Sequence, residues 1–254
     1  MKFLEFLRDA FTVLLKQPKL FLPKLLVSAI YGVSLVLIAI WFKDYSFLLE
    51  LGASGTLTLQ ESLLVQDAMP FLLFFIFWSI FSLITDIFVN AMYPAMIKEF
   101  KKTKKVSFRT GFESVKSRLS TVFITILILF IPFIIISMAV TSFTYSSFLM
   151  LAIALAFALL YSFLFYYIYP VILLEKVSVL AGIKKSLRTS TKNKHLTLKA
   201  SLFPFVISLF DIYLAFDIFN PVNFFLFVLT RLIIAVVATY HVVLNPVLYL
   251  GVRE

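Results

Sequence analysis

Six long apolar stretches, separated by polar segments, constrain this chain more than any other feature. A helix needs about 20 apolar residues to cross the hydrocarbon core of a bilayer. Stretches of that length are Leu20–Phe42, Pro70–Ile97, Leu119–Ser142, Ser147–Leu174, Ala200–Phe219 and Phe224–Leu250. Of the 254 residues, 62% are hydrophobic and only 14% are charged, whereas soluble chains are about half apolar. The sequence therefore predicts an all-α, multi-pass protein of the cell membrane, with residues 1–254 forming a single integral membrane domain.

The basic residues lie almost entirely on one side of these stretches. Five lie at the N-terminal end, eight follow the second stretch, seven follow the fourth, and Arg253 follows the last, so 21 of 23 share one side. Because Lys and Arg are enriched in cytoplasmic loops, both chain termini are predicted to be cytoplasmic. No stretch has the short apolar region and cleavage site of a signal peptide, so the N-terminal segment is expected to be retained.

Three prolines recur at equal spacing. The second, fourth and sixth stretches end in NAMYPAMIKEF, YYIYPVILLEK and VVLNPVLYLGV, which places Pro94, Pro170 and Pro246 76 residues apart each time. The first two copies share a glutamate five residues later, at Glu99 and Glu175. We expect each proline to kink or end its helix, and the carbonyl it leaves without a donor to find a partner on a neighbouring helix or at the interface.

A second motif precedes each odd-numbered stretch. DAFTVLLK, TGFESVKS and AGIKKSLR each place a small residue before Phe or Ile. In the first, apolar and polar residues fall on opposite faces of a helix, the pattern of an amphipathic helix in the membrane interface, and the other two are similar but weaker. The chain is thus predicted to contain three parallel repeats, residues 1–100, 101–177 and 178–254, each an amphipathic helix followed by a transmembrane hairpin.

These motifs resemble a known group of membrane proteins. The opening FLRDAFTVLLKQPKLFLPKLL, the YP endings and the small residues before Phe or Ile are similar to poorly characterised six-helix families of archaea and bacteria. One such family is the membrane domain joined to some bacterial glycerophosphodiester phosphodiesterases. The resemblance implies the six-helix fold along nearly the whole chain. It implies no activity, because this sequence contains no catalytic barrel, and no functional residue is carried over.

Polar residues inside the apolar stretches form one candidate cluster. Asp86 and Asn90 share a helix face, as do His241 and Asn245. By the helical rise, Asp86 and His241 lie at a similar depth near the cytoplasmic side. The four could hold a proton, a cation or a lipid head group, or they could be a satisfied polar cluster without further function.

A candidate ion pair lies nearer the outer side. The fifth and sixth stretches are joined only by Asn220–Asn223, so they are expected to be antiparallel neighbours. Asp211 and Arg231 then come to a similar depth, with Asp217 as a rival partner for the arginine. We interpret this pair as a structural staple of the hairpin in preference to a working site.

The sequence predicts no catalytic, metal or cofactor site. It contains no cysteine and only two histidines, and it lacks metal-ligand spacing and a glycine-rich phosphate loop. The expected partners are anionic lipid head groups at the cytoplasmic face, with protein partners or a homo-oligomer also open, and no nucleic acid. We therefore predict a non-enzymatic membrane protein that binds or organises lipids or partner proteins. A small transporter or channel is the alternative, and a lipid enzyme is the weakest.

Overall fold

The structure is a computed structural model that describes residues 3–45, 59–143, 147–215 and 217–253, of which some side chains, including those of 203–212, lie outside the description. Every regular element within these ranges is a helix. A 3-10 turn, Pro18–Leu20, joins the first helix to the second. The helices are α1 (Phe3–Lys16), α2 (Phe21–Tyr45), α3 (Leu59–Thr103), α4 (Phe108–Lys116), α5 (Leu119–Phe143), α6 (Ser147–Leu164), α7 (Ile168–Glu175), α8 (Val179–Lys192), α9 (Lys194–Ala215) and α10 (Pro221–Arg253).

Helix length and composition identify a membrane protein. Four segments of the described chain are long and apolar enough to cross a bilayer: Pro18–Trp41, Ala68–Thr103, Leu155–Glu175 and Pro221–Arg253. A fifth is reached if Phe108–Lys116 and Leu119–Pro132, bent by 72° at their junction, count as one. The four segments overlap four of the six predicted spans, and the bent pair overlaps a fifth, Leu119–Ser142. The sixth, Ala200–Phe219, stays a prediction, since many of its side chains lie outside the description.

The chain divides into two compact units. The first comprises Met1–Leu20, Ile87–Val206 and Val237–Glu254, and the second comprises Phe21–Asp86 and Ile207–Val236. Tyrosine rings are buried in the first unit, where the Tyr93 hydroxyl donates to the Leu20 carbonyl at 2.7 Å. In the second unit Leu35, Ala39, Ile218 and Phe227 form an apolar core. The predicted single domain with three repeats stays a prediction beside this division.

Only one of the three repeated prolines interrupts its helix. Helix α3 continues past Pro94 to Thr103, and α10 continues past Pro246 to Arg253, so neither proline ends its helix, and a kink at either one stays a prediction. Pro170 differs, because α6 ends at Leu164 and α7 begins at Ile168, within the turn that a proline ring disrupts. A proline lacks one N–H, and a long apolar helix can keep its course when its other main-chain bonds remain.

In the first unit, amphipathic helices contact the ends of apolar helices in a recurring manner. On α4, a Cβ added at Gly111 would lie 2.9 Å from Met96 Cγ, so a larger residue would require Met96 or the helix to move. On α8, the same atom at Gly182 would lie 3.1 Å from Ile172 of α7. At α1 the glycine lies on the apolar helix instead: the Phe6 ring of α1 packs against Gly251 of α10.

The segment after each of the first two amphipathic helices holds the end of a neighbouring helix. Lys104 and Lys176, which follow α3 and α7, have left-handed backbone conformations, with φ of 59° and 54°. The Gln17 side-chain amide donates to the Lys104 carbonyl at 3.3 Å, and the Arg118 guanidinium donates to the Lys176 carbonyl. Because a helix end leaves carbonyls without main-chain donors, these side chains satisfy groups that would otherwise lose hydrogen bonds.

Candidate functional site

The side chain of Glu175 is a densely bonded charged group of the first unit. It lies at the end of α7 and is only 7% exposed. Lys185 of α8 forms a salt bridge with one carboxylate oxygen, and the Tyr249 hydroxyl of α10 donates to the other. Arg253 Nε lies 3.6 Å from that second oxygen. The carboxylate therefore brings together two cations from two different helices.

A cleft of about 360 Å³ opens between α8 and α10 beside this carboxylate. Four basic side chains line it: Lys185, Arg188, Lys192 and Arg253. Thr189 and Asn193 add neutral hydrogen-bonding groups, and no acidic side chain is among its lining residues. Together with Glu175, the four cations give the cleft a local formal charge of +3. Such a cleft favours an anion that accepts several hydrogen bonds.

Helical spacing explains why α8 presents this basic face. Lys185, Arg188 and Lys192 are separated by three and four residues, which places them on one side of a helix. The opposite side carries Gly182, Ser186 and Ser190, all buried and also four residues apart. Small residues at this spacing allow close helix packing, so α8 buries its small side against the helices of the first unit and leaves its basic side open.

The predicted cluster of Asp86, Asn90, His241 and Asn245 is divided between the two units. In the first unit, Asn245 Nδ2 donates to the Tyr166 carbonyl at 2.5 Å, and the His241 ring lies 5.3 Å from the Tyr166 ring. These two predicted residues thus meet on one tyrosine. Asn90 lies in the first unit and Asp86 in the second, and a working site formed by all four stays a prediction.

In the second unit Asp86 pairs with a residue that the sequence analysis counted only as a basic charge. Lys24 Nζ lies 2.7 Å from Asp86 Oδ1, and its side chain is 7% exposed. Lys24 lies in α2 and Asp86 in α3, both within spans of the described chain. A lysine that opens an apolar stretch and an acid deep in the next one are a signal that could have suggested this pair.

Arg231 is held by α2 of the second unit. Its Nε donates to the Ser28 carbonyl at 3.2 Å and its Nη2 to the Ser28 hydroxyl at 2.9 Å. The Ser28 hydroxyl in turn donates to the Arg231 carbonyl at 2.9 Å, and the guanidinium lies 5.1 Å from the centre of the Tyr31 ring. The Asp211 side chain lies outside the described residues, so the Asp211–Arg231 pair stays a prediction. The rival Asp217 accepts a bond from Asn223.

Sequence reasoning missed Glu175 as a site residue. It noticed only that Glu99 and Glu175 occupy matching positions after Pro94 and Pro170. Glu99 accepts the Ser107 main-chain N–H at 3.2 Å, beside the N-terminus of α4, whereas Glu175 receives side chains. Glu99 and Glu175 therefore occupy matching positions in the motif but form different hydrogen bonds. In the described part of the chain, no group of three His, Asp or Glu side chains is placed to hold a metal ion.

Comparison with known proteins gave no relative from which a role could be transferred. No protein-family model, no curated protein and no solved structure matches this chain. The resemblance to the phosphodiesterase-associated membrane domain thus stays an expectation from motifs.

Proposed function

We propose that the protein is a non-enzymatic membrane protein that binds anionic lipid head groups at the cytoplasmic face. The supporting observation is the three-sided character of α1. One side buries Phe6, Ala10 and Val13 in the protein. A second side leaves Leu4 and Leu15 72% and 68% exposed, with Phe11 between them. A third side is polar.

The exposed apolar side of α1 fits a bilayer interface. At about 100° per residue, Leu4, Phe11 and Leu15 fall within about 40° of one another, so they form one stripe. Exposing these apolar side chains to water costs free energy, whereas the boundary between head groups and acyl chains would bury them. Exposed Phe112 on α4 and Leu180 on α8 extend the pattern to the other two amphipathic helices. Lysine and arginine beside these residues favour anionic lipids.

Three parallel repeats with six spans and cytoplasmic termini are part of this proposal. The contacts of the first unit support it, since α4 lies on the end of α3, α8 on α7, and α1 on the end of α10. Such a cyclic order is expected when each repeat docks its amphipathic helix on the preceding repeat. The matched bonds from Gln17 and Arg118 to the carbonyls of Lys104 and Lys176 support the same equivalence.

The test compares lipids around the reconstituted full chain. Electron paramagnetic resonance of spin-labelled lipids should give a larger motionally restricted fraction for phosphatidylglycerol than for phosphatidylcholine, and the difference should shrink in high salt. A triple variant, Leu4→Ser, Phe11→Ser and Leu15→Ser, keeps every charge but removes the apolar stripe of α1. We expect it to lower the phosphatidylglycerol preference. Equal restriction of both lipids by the unmodified protein would refute the proposal.

A small transporter or channel remains the second candidate. It is favoured by ionisable side chains within the spans of the second unit, where Lys24 and Arg231 are both buried. Such residues are costly in a membrane and often mark ion or substrate pathways. Their local partners, Asp86 for the lysine and Ser28 and Tyr31 for the arginine, also agree with a structural role.

A further inference from the structure

We propose that the cleft between α8 and α10 is a phosphate-binding site, which accepts a phosphomonoester carried by a lipid head group or by a small soluble molecule. This inference rests on the proposed function, because it assigns one defined ligand group to a face that is proposed to meet anionic lipids.

The cation arrangement is the first argument. Lys185 pairs with Glu175 and Arg253 Nε lies 3.6 Å from the same carboxylate, so both cations lie beside the cleft before any ligand arrives. Arg188 and Lys192 line the same cleft, and no carboxylate stands among its lining residues. Two cations beside Glu175, together with Arg188 and Lys192, suit a group that carries about two negative charges, as a phosphomonoester does near neutral pH.

The hydrogen-bonding groups are the second argument. The guanidinium groups of Arg188 and Arg253 present planar forks of N–H donors, which match the oxygens of a phosphate. Thr189 of α8 and Asn193, which follows α8, also line the cleft. The Thr189 hydroxyl already donates to the Lys185 carbonyl and one Asn193 amide N–H to the Thr189 carbonyl, so the second Asn193 N–H is the neutral donor left for a ligand. A phosphate has three terminal oxygens to satisfy, so four cationic side chains and one amide N–H fit it better than they fit a single-charge anion.

The size and lining of the cleft are the third argument. About 360 Å³ lies at the low end of ligand sites, which suits one head group and not an extended ligand. Val252 is the one aliphatic residue of the lining, and Tyr249 contributes the one aromatic ring. The groups that can distinguish one ligand from another are therefore mainly the cationic side chains, so the recognised part is the charged group itself.

The experiment uses the full chain in detergent and two probes, phosphatidic acid and glycerol 3-phosphate. Affinity is measured by native mass spectrometry for the lipid and by isothermal titration calorimetry for the soluble ester. The cleft variant combines Arg188→Gln with Lys192→Gln, both exposed residues that do not contact Glu175 in the described bonds. The control variant combines Lys101→Gln with Lys102→Gln, which removes the same charge from the exposed end of α3.

We expect the cleft variant to bind at least one probe about tenfold more weakly, the loss expected for a charge-assisted bond, and the control to stay within about twofold. Binding of phosphatidic acid alone supports a lipid source, and binding of glycerol 3-phosphate as well supports recognition of the phosphate by itself. Equal loss in both variants, or no binding of either probe by the unmodified chain, overturns the inference. If the spin-labelled lipid preference survives in the cleft variant and its cleft affinity equals that of the control, the phosphate site fails while the proposed function stands.

Discussion

The side-chain amide of Asn245 donates a hydrogen bond to the main-chain carbonyl of Tyr166, four residues before Pro170. In an uninterrupted helix that carbonyl would accept from the N–H of residue 170, which proline lacks. The expectation that a proline carbonyl finds a partner on a neighbouring helix is therefore confirmed at Pro170. Asn245, predicted as a member of a polar cluster, satisfies the main chain of another helix.

Replacing Asn245 by leucine should destabilise the protein by about 1–3 kcal/mol, because a buried carbonyl loses its donor. Thermal unfolding in detergent, followed by intrinsic fluorescence, measures the change. The double variant Asn245→Leu with Pro170→Ala provides the control, since alanine restores an N–H that can reach Tyr166. In the Pro170→Ala background, Asn245→Leu should therefore destabilise the protein less than it does in the unmodified chain. If Asn245→Leu costs as much in both backgrounds, the bond does not serve the proline break.

Glu175→Gln should lower the unfolding temperature and loosen α8. The neutral amide loses the ion pairs with Lys185 and Arg253, although its side chain occupies the same buried position, where Glu175 is 7% exposed. The expected cost is about 1–3 kcal/mol, toward the lower value because both cations are half exposed to solvent. The matched control is Glu113→Gln, whose partner Arg109 lies on the exposed side of α4. The control should leave the unfolding temperature unchanged, and equal effects would contradict a special role for Glu175.

Gly111→Ala should destabilise the contact between α4 and α3. The added methyl would lie 2.9 Å from Met96 Cγ, so the helices must separate or the methionine must shift, at a cost of about 1–3 kcal/mol. Gly32→Ala is the control, because its methyl would meet only the Arg231 side chain at 3.7 Å. There the better helix propensity of alanine should stabilise the protein by about 0.5–1 kcal/mol. Thermal unfolding of both variants should show shifts of opposite sign.

Asp86→Asn should cost stability, because it removes the paired charge from the buried ammonium of Lys24. We expect a loss of about 1–3 kcal/mol by thermal unfolding, and partial recovery in Asp86→Asn with Lys24→Met, which removes the orphaned charge. Proton and cation flux into proteoliposomes, measured on the same variants, separates the two candidate functions. A flux in the unmodified protein that Asp86→Asn abolishes without lost stability would favour the transporter.

Cysteine labelling should reveal the orientation. The chain has no native cysteine, so a single introduced cysteine is the only target. In intact cells, an impermeant maleimide should label Val222→Cys at the start of α10 and should leave Lys102→Cys at the end of α3 unlabelled until the membrane is opened. Both residues are exposed in the structure. The reverse pattern would place the lysine-rich segments and the chain termini outside.

The amino-acid sequence by itself determined the helical class and the approximate position of four to five candidate spans. An α-helix satisfies the main-chain hydrogen bonds of a long apolar segment in lipid, so such a segment is expected to be helical. Its length can be read from the sequence. The amphipathic face of α1 was determined in the same way, because it depends on residues three and four positions apart. Pro94 and Pro246 show the limit of local rules, since α3 and α10 continue through them.

Only the tertiary structure decided which polar groups meet. Lys24 and Asp86 are 62 residues apart, and Asn245 and Tyr166 are 79 apart. The cleft likewise needs α8 beside the end of α10, where Arg253 and Lys185 reach the same carboxylate. The long helices α2, α3, α6 and α10 are apolar over most of their surface, so hydrophobicity alone does not select partners between them. Close packing at small residues and the need to satisfy each buried polar group make that choice, and both depend on the folded arrangement of the helices.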